Sequence, residues 1–186
     1  MPKKFKFNYN TSKLACSVFD ILKPVILIFA VMSIIFTCFV REANVIGNSM
    51  LDTLHDGDRV LISSFMYTPK PGDIVAINAE NLIEKRIIKR VIAVEDQTIE
   101  IDYETGAVYV DGILTEEKYI SSQTRRSNNE YKFPYVIPKG YIFVMGDNRG
   151  VSLDSRDASL GLIPYDDIIG KAQFVFFPFN RIKYLY

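Results

Sequence analysis

The stretch Leu82–Val94, LIEKRIIKRVIAV, decides the fold. From Lys85 onward its residues follow a period of two, which is the spacing of a strand. The alternation puts Ile87, Lys89, Val91 and Ala93 on one face, and Ile88, Arg90 and Ile92 on the other. Along its own face Lys89 is flanked only by apolar side chains.

Outward from this strand, the chain beyond Arg59 is a series of short β-type runs separated by turn signals. RVLISSF (Arg59–Phe65) is followed by TPKPGD and then IVAIN. TIEIDYETGAVYVDGIL (Thr98–Leu114) reads as two alternating strands around a turn at Glu104–Gly106. SSQTRRSNNEYK, residues 121–132, is polar and aperiodic, and predicts a mobile loop. GYIFVMGDNRG is a strand running into a loop, and AQFVFFPFNRIKYLY is an aromatic terminal strand. Its FVFFPF run fits either a buried strand or a contact with the membrane interface. No internal repeat is present. The predicted fold is mostly β, a compact antiparallel sheet or barrel-like domain over residues 41–186.

Ahead of that domain, PVILIFAVMSIIFTCFV (Pro24–Val40) carries no charge. It reaches the lower limit, about 17 residues, of a membrane-spanning helix, with Pro24 expected in the first turn. It is longer than the apolar part of a cleaved leader, and no small-x-small site follows it. It also lacks the stripe of an amphipathic core helix. The expected organisation is a basic cytoplasmic segment over 1–23, a retained transmembrane anchor over 24–40, and an outer domain over 41–186. Lys3, Lys4, Lys6, Lys13 and Lys23 precede the span, so the N-terminus is expected inside and the domain outside the cell membrane.

Composition narrows the chemistry. With 48% hydrophobic residues and zero formal charge, the chain folds and has no global attraction to nucleic acid. Residues 41–186 hold 17 basic and 21 acidic residues, a mildly acidic outer domain. Cys16 and Cys38 lie in or beside the apolar segment, so no disulfide framework or cysteine zinc site is available. His55 is the one histidine, which leaves no imidazole metal cluster. No metal and no cofactor is expected.

Three blocks contain reactive residue types. Ser49 lies in VIGNSMLDTLHDGDRVLI, nine residues beyond the apolar run. A serine hydroxyl needs a base to become a nucleophile. His55 sits six residues away in a turn-like setting. Lysine is the other base that serine hydrolases use, and it must be neutral, which burial on an apolar surface favours. Lys89 has that setting; it is equally an edge-strand lysine that discourages aggregation. The third block, GDNRGVSLDSR (Gly146–Arg156), packs hydroxyls, carboxylates and guanidinium groups after an apolar strand. It reads either as a salt-bridged surface loop or as groups that orient a nearby base.

Taken in order after an N-terminal anchor, these blocks resemble the type I signal peptidases of bacteria. The family pattern Ser-Met-x-Pro-Thr-Leu is met by Ser49-Met50-Leu51-Asp52-Thr53-Leu54, with Asp52 in the place of proline. Lys-Arg-[Val/Ile]-Ile-Gly is met by Lys89-Arg90-Val91-Ile92-Ala93, and Gly146 to Arg156 fit Gly-Asp-Asn-Arg-x-x-Ser-x-Asp-Ser-Arg at every fixed position. PGDIV (Pro71–Val75) and GLIPYDDIIGKA (Gly161–Ala172) agree as well.

The resemblance implies that Ser49 attacks the scissile carbonyl of a signal-peptide-bearing preprotein and that Lys89 is the general base. It implies an oxyanion site at the Ser49 N–H, helped by the backbone of Gly47. It also implies a hydrogen bond between Ser152 and the Lys89 ammonium group that orients it, and supporting ion pairs among Arg90, Asp147, Asp154 and Arg156. Val45, Ile46, Met50, Leu54, Ile87 and Ile88 would line shallow pockets for small substrate side chains, or else pack in the core. Lysine at 89 distinguishes the bacterial type from reticulum-type relatives, which have histidine there. A single span resembles the enzymes of Gram-positive bacteria. Two alternatives are a self-cleaving Ser-Lys protein related to stress-response repressors and a catalytically silent relative that binds peptides. Asp52 keeps the silent reading open; as a carboxylate near the site it is expected to raise the Lys89 pKa, or else to cap the following turn and point away.

Overall fold

A computed structural model describes residues 9–126 and 131–185. It divides into two compact units, Met1–Val40 and Arg41–Tyr186. The first is carried by helix α1, Tyr9–Phe39. Its most apolar window, Ser17–Ile34, has a mean hydropathy of 2.0 and is long enough to cross a membrane. The helix begins well before Pro24, so this proline lies inside it and not in its first turn. Asp20 and Lys23, one helical turn apart, pair at 3.1 Å and so offset each other's charge near the apolar run.

Among the described residues the second unit is built from twelve strands. These are β1 (Val40–Asn44), β2 (Arg59–Ser63), β3 (Ile74–Ala79), β4 (Lys85–Ala93), β5 (Thr98–Asp102), β6 (Ala107–Val110), β7 (Ile113–Leu114), β8 (Tyr135–Val136), β9 (Tyr141–Met145), β10 (Ile163–Pro164), β11 (Ile168–Phe177) and β12 (Lys183–Tyr184). A short helix, α2 (Glu80–Ile83), joins β3 to β4. Eight strands form one sheet in the order β1-β2-β11-β3-β4-β9-β10, with β12 beside β11. The other four form a smaller sheet, β7-β6-β5-β8. The pairings of β2, β3 and β12 with β11, of β3 and β9 with β4, and of β10 with β9 are antiparallel, as are those of the smaller sheet. The mostly β, antiparallel architecture is the one read from the sequence.

The period of two explains where the core sits. On β3, Ile74 and Ala76 face a cluster with Met50, Leu54, Ile62 and Val175, while Val75 and Ile77 face one with Val91, Ile142 and Val144. On β4 the same alternation sends Ile88 to the first cluster and Ile87 with Val91 to the second. It then breaks. The β4–β9 register shifts between Val91 and Ala93, and Ile92 and Ala93 both enter a third cluster with Phe143 and Met145. An irregularity of this kind lets neighbouring residues share a side, so Ala93 does not share the face assigned to it with Val91.

The polar stretch after Ser121 also differs from expectation. Thr124 is buried, and the backbone carbonyl of Arg125 accepts a 2.9 Å bond from Arg156 Nη1. Residues 121–126 are therefore tied down; 127–130 lie outside the described residues. At the chain's end, β11 buries Ala172 and Val175, whereas Phe177 and Phe179 are exposed and stack edge-to-face.

The β2–β11 pairing constrains Gly170 closely. A Cβ there would lie 2.4 Å from the Ser63 carbonyl oxygen and 2.9 Å from Ile62 Cγ2. Gly170→Ala is expected to lower unfolding stability by about 1–3 kcal/mol, the usual range for overpacking. Denaturant unfolding followed by circular dichroism measures it.

Candidate active site

Ser49 lies in a closed loop between β1 and β2. The loop's neck is fixed by Val45 N–H donating to the Asp58 carbonyl (2.8 Å) and Gly57 N–H donating to the Val45 carbonyl (3.0 Å). Asp58, itself buried, is gripped by Arg181 at 2.9 and 3.1 Å and caps the His55 N–H at 2.9 Å. Met50 and Leu54 anchor the loop from below in the first core cluster. The half-buried serine is held in place from its main chain, because its carbonyl accepts the Asn148 N–H at 3.0 Å.

Lys89 projects from the middle of β4, opposite Val75 on β3. It is only 3% exposed, and its Nζ lies 2.7 Å from Ser49 Oγ. Burial draws its pKa down to about 8, opposed by the carboxylates of Asp154 and Asp147 and aided by the Arg156 guanidinium. Such an amine has an accessible neutral form whose share grows as pH rises through about 8, and it touches a hydroxyl that needs a base. His55 does not serve as the base in this arrangement: its ring Nδ1 lies against Arg181.

The block after β9 surrounds this pair. Arg90 grips Asp147 through Nε and Nη2, at 2.8 and 2.7 Å, and the Thr53 hydroxyl donates to the same carboxylate. Asp154 binds Arg156 at 2.8 and 2.9 Å and accepts the Gly146 N–H at 3.0 Å. Both ion pairs are buried, and removing one partner of such a pair costs about 3–5 kcal/mol. The four supporting ions read from the sequence are thus brought together as two pairs.

Several expectations are corrected. The buried hydroxyl oxygen of Ser152 has no hydrogen-bond partner, so it does not bond Lys89. Ser152 instead packs on Gly146, where an added Cβ would meet its Oγ at 2.2 Å and the Ser49 carbonyl at 2.4 Å. The Gly47 N–H donates to Asp56 Oδ1 at 2.7 Å, so it is not available to an oxyanion in this arrangement. Val45, Met50 and Leu54 are core residues, which leaves Ile46, at 89% exposure, and the half-buried Ile87 and Ile88 to offer surface. Asp52 is exposed and is not among the groups that set the Lys89 pKa. Among the described residues no three His, Cys, Asp or Glu side chains cluster as metal ligands would.

A family described as "Signal peptidase, peptidase S26" matches residues 18–177. The chain belongs to the signal peptidase, peptidase S26, family. It is 37% identical over 170 residues to the "Probable signal peptidase I-1" of Synechocystis sp., covering 85% of this chain and 82% of that protein. It is 36% identical over 169 residues to "Signal peptidase I T" of Bacillus subtilis, covering 85% of each. A crystal structure of a signal peptidase I from Enterococcus faecalis V583 matches with a TM-score of 0.46 and 25% identity, over 57% of this chain and 98% of that one. The Synechocystis and Bacillus relatives lend no support to a catalytically silent protein.

Within the S26 framework, some residues had no motif to reveal them. Asp58 and Arg181 shape the serine loop, and Glu117, Tyr119 and Thr124 pack behind the ion pairs. Asp58 and Arg181 are 123 positions apart in the chain, so no local pattern links them. Because the neutral amine increases as pH rises through about 8, kcat/KM is expected to climb with an acidic limb near that value. Asp52→Pro is expected to leave that limb in place, which a pH–rate curve on a cleavable reporter checks.

Proposed function

We propose that the protein is a membrane-anchored serine endopeptidase that removes signal peptides from preproteins, with Ser49 as nucleophile and Lys89 as general base. The observation that carries this reading is the 2.7 Å contact between Ser49 Oγ and a buried Lys89 Nζ. Neutral Lys89 takes the Ser49 proton as Oγ adds to the scissile carbonyl. The resulting oxyanion takes the Ser49 N–H, a preorganised donor of the kind that stabilises such charge. The Lys89 ammonium then returns the proton to the departing amine, leaving an acyl-serine. Lys89 next takes a proton from the water that attacks the acyl carbonyl and returns it to Ser49 Oγ as the acyl bond breaks.

The sheet suggests where the substrate lies. β3 pairs with β4 from Lys85 to Arg90, but β9 pairs only from Arg90 onward. Among the described residues the outer edge of Lys85–Lys89 carries no ladder, and an extended peptide adds to such an edge as a strand. Beside it runs a groove of about 240 Å³ whose apolar lining includes Ala43, Ile62, Ala76, Ile87, Ile88 and Ile169. Its size suits small side chains next to the cleaved bond. The basic residues ahead of α1 favour a cytoplasmic N-terminus, which puts the site on the outer face, where preproteins emerge tethered in the bilayer.

Ser49→Ala and Lys89→Ala are each expected to lower kcat/KM for a reporter preprotein by roughly 10³-fold or more, with circular dichroism unchanged. Wild-type activity in either variant refutes the dyad.

A further inference from the structure

The segment Glu117–Arg126 belongs to none of the three motif blocks, yet it touches all of them. The Ser121 hydroxyl donates to the Leu51 carbonyl of the serine loop at 3.2 Å. The Tyr119 ring centroid lies 3.9 Å from Cζ of Arg90, the neighbour of Lys89 on β4. In the Gly146–Arg156 block, the Asp147 carbonyl accepts the Ser121 N–H (3.4 Å), the Ser122 hydroxyl accepts the Gly150 N–H (3.1 Å), and Arg149 binds Glu117 and Thr124.

These contacts are not those of a loosely laid surface loop. The Arg149 side chain is fully buried and Glu117 is 7% exposed. Lifting the segment would strand the Arg149 guanidinium in the interior without its carboxylate, an arrangement that is strongly disfavoured. Arg90 already spends its edge donors on Asp147 and on the Gly72 carbonyl (2.8 Å). Its Nη2 also reaches the Thr53 hydroxyl at 3.4 Å, and the Tyr119 ring covers the face of the guanidinium, as an aromatic side chain is suited to do.

We propose that Glu117–Arg126 is a strap that positions the Ser49–Lys89 pair from behind, with Tyr119 and Glu117 as its positioning residues. The proposal rests on the dyad reading given above. Tyr119 keeps water from the Arg90–Asp147 pair, and Asp147, Asp154 and Arg156 are the charged groups that act on Lys89. Removing the ring admits water to the Arg90–Asp147 pair and loosens it, so the Asp147 carboxylate is less neutralised by Arg90 and moves the Lys89 pKa upward. Burial also holds the Tyr119 hydroxyl well above its ordinary range, so the ring stays neutral beside the cation.

The test uses the full chain in detergent micelles, comparing wild type with Tyr119→Leu, Tyr119→Phe and Glu117→Gln. Modification of Lys89 by an amine-reactive probe, followed across pH by mass spectrometry, reads its titration without relying on activity. Tyr119→Leu is expected to move that titration to higher pH and to lower kcat roughly tenfold at unchanged KM, as small losses of alignment do. Tyr119→Phe, which keeps the ring, is expected to match wild type, and Glu117→Gln to shift in the same direction as Tyr119→Leu. Rates are taken per folded protein, judged by near-ultraviolet circular dichroism. A wild-type titration in Tyr119→Leu overturns the strap, as do equal losses in the leucine and phenylalanine variants. Cleavage by Ser49→Ala would instead overturn the dyad reading, while the Lys89 titration still judges the strap.

Discussion

The structure of this protein turns on keeping one ammonium group out of water. Lys89 projects from β4 against a serine hydroxyl on a neighbouring loop and meets little solvent. Its fall from 10.5 to about 8 corresponds to a shift of roughly 3 kcal/mol toward the neutral amine relative to water. Asp154 and Asp147 pull in the other direction, yet each is already bound to an arginine. That pairing tempers their effect on the lysine. Burial therefore wins, and a residue normally cationic becomes available as a base.

Other features follow from the need to hold that arrangement. A flexible lysine side chain must meet a hydroxyl on a separate loop, so both backbones have to be fixed. β4 is fixed by ladders to β3 and β9. The serine loop is fixed by its neck, by Asp58 with Arg181, and by Met50 and Leu54 in the core. The Gly146–Arg156 block joins the two, since Asn148 binds the Ser49 carbonyl while Asp147 binds Arg90 and Thr53. Gly146 lets the Ser49 main chain and Ser152 approach closely, because a Cβ would collide with both. Polar residues are buried here at a cost, and the hydrogen-bonded ion pairs offset it.

The departures from the family pattern and the family roles gain a physical account. Asp52, the substitution that stands out in the linear sequence, is exposed and lies outside the field that tunes Lys89. Gly47 offers only its N–H, and that N–H is taken by Asp56. In this arrangement the oxyanion donor that remains from the expected pair is the Ser49 N–H. Ser152, read as a partner of the lysine, is packed against Gly146 with its hydroxyl unpartnered.

Strand periodicity identified β4 and its apolar neighbours, and the turn at Glu104–Gly106 separated β5 from β6. The charge-free run before Val40 announced an apolar helix, though its start and the internal position of Pro24 were displaced, because helix ends depend on flanking residues that hydropathy does not weigh. The residues 121–126 looked like a free loop because their partners, Leu51, Asp147, Arg149 and Arg156, are distant in the chain. The same remoteness hid Asp58 and Arg181. Sequence by itself determined the β-rich class, the apolar helix and the three blocks that hold Ser49, Lys89 and the ion pairs, because these are local patterns of residue type and spacing. Only the tertiary structure decided that Lys89 is buried against Ser49, which ions pair, and which apolar residues face solvent, because burial and proximity arise when distant strands meet.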